Sequence, residues 1–211
     1  MTLLLTAYFI KVFLRARMQS HWRSFRRIER DRFGLWVNLS QLIEMRKDGF
    51  SDGIHLTLVF FATGKQNCSL IWCTKTMKGA LIDPGGDLDR IQPDLSQHGI
   101  DVQTIFLTHG HIDHAAGAMD LKDALGVKIV GPHELDRPLL ENLEQQAQMF
   151  GLTGQVRNVA PDKWLSEGDT ISIGGHEFEV FHCPGHAPGH VVFYNAAAKF
   201  AHVGDVLFAG S

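Results

Sequence analysis

Thr108-His109-Gly110-His111-Ile112-Asp113-His114 packs three imidazoles and a carboxylate into one short run directly after an apolar strand. In an extended segment residues two apart point the same way. His109 and His111 can therefore grip one ion, while the turn at Asp113-His114 aims the next pair at a second. Imidazole and carboxylate together suit zinc, and also iron or manganese.

The text on either side of this run is a series of short apolar stretches broken by turn residues. Upstream, the pattern predicts strands over His55–Ala62, Asn67–Cys73, Ala80–Ile82 and Val102–Leu107, with a turn at Asp83-Pro84-Gly85-Gly86 and a helical stretch over Leu88–Gln97. Downstream it predicts a helix over Ala115–Leu125, a strand over Val127–Val130 and a longer polar helix over Glu134–Phe150. The strands Thr170–Ile173, Glu177–Phe181, Val191–Tyr194 and Phe200–Val203 follow. Strands, then alternating helix and strand, then strands again favour a layered α/β domain over a doubly wound one.

Two further strand ends carry chemistry. Cys183-Pro184-Gly185-His186-Ala187-Pro188-Gly189-His190 leaves a strand through a Pro/Gly turn that presents a histidine on a constrained backbone. Gly204-Asp205 closes another strand, and a carboxylate there can bridge two cations about 3.5 to 4 Å apart. If these ends meet around one ion at bonds of about 2.0 to 2.2 Å, His109, His111, His186 and Asp205 must converge. Cys183 reads as a small buried residue and His190 as a support for the turn or for the ligands from behind. His133, His176, His182 and His202 read as ordinary surface or packing histidines, and Trp72 and Phe106 as core.

Composition is that of a globular protein: 211 residues, 45% hydrophobic and 20% charged, with formal net charge -3. The charge is uneven. Residues 1–54 hold ten Lys and Arg against five Asp and Glu, leaving ten against eighteen in the rest. Apolar residues recur at helical spacing through residues 1–32, with Arg on the polar side. This basic helical extension is read as lying outside the core domain of residues 55–211, and no nucleic-acid partner is expected from it. Thr2–Leu14 is interrupted by Lys11 and is shorter than the roughly 20 residues that span a bilayer, so no membrane span is expected. Three irregularly placed cysteines, Cys68, Cys73 and Cys183, give no disulfide framework and point to a reducing, cytoplasmic setting.

Taken together, the His-x-His-x-Asp-His run, the Pro-Gly-His turn and the final Gly-Asp resemble the metallo-β-lactamase superfamily. Asp83-Pro84-Gly85 and the strand Asn67-Cys68-Ser69-Leu70-Ile71-Trp72 fit the same pattern. Within the superfamily, the Pro-Gly-His-x-Pro-Gly-His form and Gly-Asp-Val-Leu-Phe look most like compact glyoxalase II-like thioesterases. The resemblance implies an αββα sandwich. It implies a first metal held by His109, His111 and His186, a second held by Asp113 and His114, and Asp205 bridging them. Asp83 would orient a ligand histidine. Two zinc ions are implied, with iron or manganese as alternatives. The substrate would be a small thioester, with a glutathione-linked one as the candidate, attacked by a metal-bound hydroxide, with Asp113 in the catalytic set. Members of this branch supply one more metal-ligating histidine beyond the Gly-Asp motif. Because the chain stops at Ser211, the expectation is a second half incomplete at its C-terminus and an under-liganded second metal. Two other readings share the motifs: a one-iron persulfide dioxygenase, and an incomplete, non-catalytic fragment.

Overall fold

The computed structural model describes residues 54–207, apart from 62–65, 87–90, 93–94, 97, 153–155 and 199. The basic helix expected over residues 1–32 lies outside the described residues, as does Ala62 at the end of the first expected strand. The elements described are β1 (Ile54–Phe61), β2 (Gln66–Cys73), β3 (Lys78–Ile82), β4 (Asp101–Phe106), α1 (Ile112–Ala115), α2 (Ala118–Leu125) and β5 (Lys128–Val130). They continue with α3 (Arg137–Leu140), α4 (Leu143–Met149), β6 (Thr170–Ile173), β7 (His176–His182), β8 (Val191–Asn195) and β9 (Phe200–His202).

The strands form two sheets, ordered β1-β2-β3-β4-β5 and β6-β7-β8-β9. In the first, β3, β4 and β5 run parallel and β1 and β2 antiparallel. The second is antiparallel throughout. Period-2 alternation explains how one sheet serves two cores. Leu70, Trp72, Leu81, Ile105 and Leu107 face the helices and meet Ile91, Leu95, Ile112, Leu121, Leu140 and Leu143. Their strand neighbours Ile71, Ala80, Ile82 and Phe106 face the second sheet and meet Ile171, Phe178, Val180, Val191 and Phe193. Both faces of β3 beyond Lys78 and of the Ile105–Phe106 end of β4 are therefore buried, which is why Ala80–Ile82 reads as a continuous apolar run. The second sheet is amphipathic: Phe178 and Val180 point inward, while Ser172, Glu177 and Glu179 are exposed. The described residues thus build three layers of the expected sandwich: helices, sheet, sheet. Among them, no helix is long and apolar enough to cross a membrane.

Two expected helices are divided. The segment expected as one helix over Ala115–Leu125 starts earlier, at Ile112, and breaks at Gly117, whose N–H leaves the helix to donate to the Pro84 carbonyl at 2.8 Å. The long helix expected over Glu134–Phe150 becomes a 3-10 turn, Glu134–Asp136, followed by α3 and α4. Pro138 sits in the first turn of α3. Asn142, at φ -121°, turns its side-chain amide back to donate to the Pro138 carbonyl at 2.7 Å, which ends that helix and lets α4 set off anew.

Candidate metal centre

The site lies where β4, the β7–β8 loop and the end of β9 meet. β4 delivers Leu107 and Thr108 into the core, so His109 emerges fully buried, while His111 and Asp113 stand nearer solvent at the start of α1. The β7–β8 loop, tied at its base by Cys183 N–H to the His190 carbonyl at 2.8 Å, carries His186 with its side chain one-third exposed. The turn after β9 delivers Asp205.

These side chains converge. His111 Nδ1 lies 2.9 Å from His186 Nε2, and the His109 ring is 4.7 Å from that of His111 and 5.0 Å from that of His186, centre to centre. Asp205 reaches both ways, with Oδ2 at 3.4 Å from His186 Nε2 and Oδ1 at 3.5 Å from His114 Nε2. Asp113, half exposed, brings Oδ2 to 3.6 Å from His114 Nε2. Two nitrogens on a tetrahedral zinc stand about 3.3 Å apart, given bonds of about 2.0 to 2.1 Å. The observed separations bracket that value. The ligand atoms of His109, His111 and His186 all lie within 4.8 Å of one another, and so do those of Asp83, His109 and His114.

Hydrogen bonds decide which nitrogen of each ring faces the cluster. Asp83 is fully buried and accepts three bonds, from Thr108 N at 2.7 Å, Thr108 Oγ1 at 2.6 Å and His114 Nδ1 at 3.1 Å. Thr108 has one hydroxyl proton, and it goes to Asp83. Its oxygen can then only accept from His109 Nδ1, 3.0 Å away. His109 Nδ1 and His114 Nδ1 therefore carry protons; His109 Nε2 is left with a lone pair aimed at the cluster, and His114 Nε2 is turned toward Asp205. His109 Nε2 is buried with no hydrogen-bond partner, a costly state for a polar atom unless a cation meets it. Asp83 is thus committed to orienting two histidines, although its oxygens also lie within ligand range. It holds φ +54°, a backbone conformation costing about 1 kcal/mol for a residue with a side chain.

The electrostatics agree with the geometry. Burial, and then the neighbouring His114 and His190, hold His109 far below the usual imidazole range, and burial with His186 lowers His111. Both rings stay neutral, as ligation requires. Burial works against charge on His114 too, but hydrogen bonds to Asp205 and Asp83 outweigh it and push the ring up to about 10. An ion arriving at its Nε2 has that proton to displace.

Three further residues support the ligands. His190, expected to steady its turn or to stand behind the ligands, is fully buried, stacks on His109 with ring centres 4.6 Å apart, and accepts from Asp205 N at 3.0 Å. Burial lowers it to about 3. Gly204, at φ +47°, passes so close that a Cβ there would lie 2.6 Å from the His190 ring and 2.7 Å from Thr108 Oγ1. Asp136, hidden inside the expected long helix, accepts from the backbone of both ligand-bearing loops. Of the other histidines, His133 and His182 stack at 4.2 Å, and buried His202 meets Ser69 Oγ at 3.1 Å. Cys183 is buried, which pushes its thiol up to about 12.

The family model described as the metallo-beta-lactamase superfamily matches residues 62–211. The hydroxyacylglutathione hydrolase GloC of Haemophilus influenzae is 44% identical over 147 residues, covering 69% of this chain and 68% of its own length. A hydroxyacylglutathione hydrolase of Bdellovibrio bacteriovorus is 31% identical over 133 residues, 63% of this chain but 45% of its own length. Among solved structures, TTHA1623 in a di-iron-bound form superposes with TM-score 0.65 at 32% identity, covering 74% of each chain. The B3 metallo-beta-lactamase BLEG-1 gives 0.64 at 26%, covering 73% of each.

Proposed function

The chain belongs to the metallo-beta-lactamase superfamily, in its glyoxalase II-like branch, and from that premise we propose that it is a metal-dependent thioester hydrolase acting on a small, glutathione-linked substrate. The observation that carries the reading is the two-sided carboxylate of Asp205, one oxygen turned to His186 and the other to His114. In this assignment His109, His111 and His186 hold a first ion, His114 and Asp113 a second, and Asp205 spans the two. Bound there, the metal supplies a hydroxide nucleophile near neutral pH, because coordination lowers the pKa of water from about 15.7 to about 7. The protein's part is to orient the imidazoles. Asp83 does so through Thr108 for His109 and directly for His114, while Asp113 and His186 stand at the exposed mouth where a thioester would enter.

Zinc suits the donor set of nitrogen and carboxylate, and the di-iron form of TTHA1623 supports iron as the alternative. Three buried, unbridged cysteines support a reducing, cytoplasmic setting. The test is hydrolysis of a glutathione thioester by the zinc- or iron-loaded protein, with the released thiol quantified. Metal-loaded protein without turnover would refute the thioesterase reading. Oxygen consumption with a glutathione persulfide, in its place, would assign the chain to the dioxygenase reading.

A further inference from the structure

Asp136 is none of the six assigned ligands, yet it is fully buried. One carboxylate oxygen accepts from Gly110 N at 2.9 Å, the residue between His109 and His111. The other accepts from Gly189 N, in the loop that carries His186. The same segment grips Gly189 from its other side, since His133 N donates to the Gly189 carbonyl at 3.0 Å and Asp136 N closes the turn on the His133 carbonyl at 3.0 Å. Both partners are glycines of necessity. A Cβ on Gly189 would stand 2.5 Å from the His133 carbonyl oxygen and 2.8 Å from the Asp136 carboxyl carbon, and one on Gly110 2.8 Å from Leu139 Cβ. The segment is anchored in turn by Leu140 and Leu143 in the helix-side core.

We propose that Asp136 is a positioning residue that clasps the two ligand-bearing loops together and so sets the gap between His111 and His186 before an ion arrives. The inference rests on the first ion site as assigned above. Two N–H groups on one buried carboxylate are charge-assisted bonds, stronger than ordinary amide pairs. Loops already held at ligand spacing have less order left to gain on binding.

The test is Asp136→Asn, which keeps the shape but turns an N–H group toward one of the two N–H donors. Expected are a native circular dichroism spectrum, zinc affinity lower by about 10- to 100-fold, a smaller zinc-induced rise in Tm, and an altered visible spectrum of the cobalt-substituted protein. A merely structural residue would lower the Tm of the zinc-free and zinc-loaded protein alike and leave affinity and spectrum in place. A folded variant with unchanged zinc affinity and cobalt spectrum overturns the proposal. Should the variant fail to fold, amide exchange on the zinc-free wild type decides. Protection of both the Gly110 and Gly189 amides supports the clasp, and fast exchange at either overturns it. A wild-type chain that takes up no zinc refutes the metal reading and the clasp's purpose with it, whereas normal wild-type uptake beside an unaltered variant refutes the clasp alone.

Discussion

Replacing Asp83 by Asn should disturb two histidines at once. Asp83 Oδ1 can survive as the amide oxygen and keep its bond from Thr108 N. The amide nitrogen then falls where Oδ2 accepted from Thr108 Oγ1 and His114 Nδ1. The Thr108 hydroxyl can escape by rotating its proton toward His109 Nδ1, 3.0 Å away, but that requires the other His109 tautomer and puts a proton on the nitrogen facing the cluster. His114, 2% exposed, can likewise accept from the new amide only by giving up its Nδ1 proton, which leaves its remaining proton on Nε2, the nitrogen facing Asp205 and the cluster. A lost hydrogen bond to a charged partner costs about 1.5 to 3 kcal/mol. The same energy withheld from metal binding is about 10- to 100-fold in affinity, since 1.4 kcal/mol is tenfold. Urea unfolding of the zinc-free variant should therefore show a loss of about 2 kcal/mol. Competition with a chromophoric chelator should show the weakening of zinc, greatest at the site that includes His114. Unfolding and zinc uptake both indistinguishable from wild type would refute the claim that Asp83 sets the two tautomers.

Gly204→Ala would force a side chain at φ +47° against the His190 ring; a loss of about 1 to 3 kcal/mol and fewer bound ions per chain are expected, read by thermal unfolding and metal analysis. Stripping the ions with a chelator should leave the fold intact but lower its stability, by about 4 kcal/mol for protein previously held at a thousandfold excess of free zinc over Kd, measurable by calorimetry with and without zinc. Leu121→Ala, in the helix-side core and fully buried, should cost about 2 to 5 kcal/mol. Glu177→Ala, exposed on the second sheet, should stay within about 0.5 kcal/mol; equal effects in denaturant unfolding would contradict the assignment of faces.

The sequence by itself determined the strands and the metal-ligand motifs, because both are local patterns. Continuous apolar runs such as Ala80–Ile82 mark strands buried on two faces, alternation in Glu177–Phe181 marks one buried on a single face, and the histidine spacing in 109–114 is chemical wherever it lies. Boundaries moved by one or two residues at most strands, as with β4 at Asp101–Phe106 against the expected Val102–Leu107. The tertiary structure alone decided what is paired over distance. Nothing local in Glu134–Phe150 shows that Asp136 leaves helical periodicity to accept from a glycine 53 residues away, and nothing local in 183–190 shows that it is the His109 ring on which His190 stacks. Thr108 reads as the end of a strand until Asp83, 25 residues upstream, takes its hydroxyl proton and so fixes the tautomer of the next residue. Periodicity reports which face of an element is buried. The partner a buried polar group finds depends on which elements the packed layers bring together, and that information is absent from any single stretch of chain.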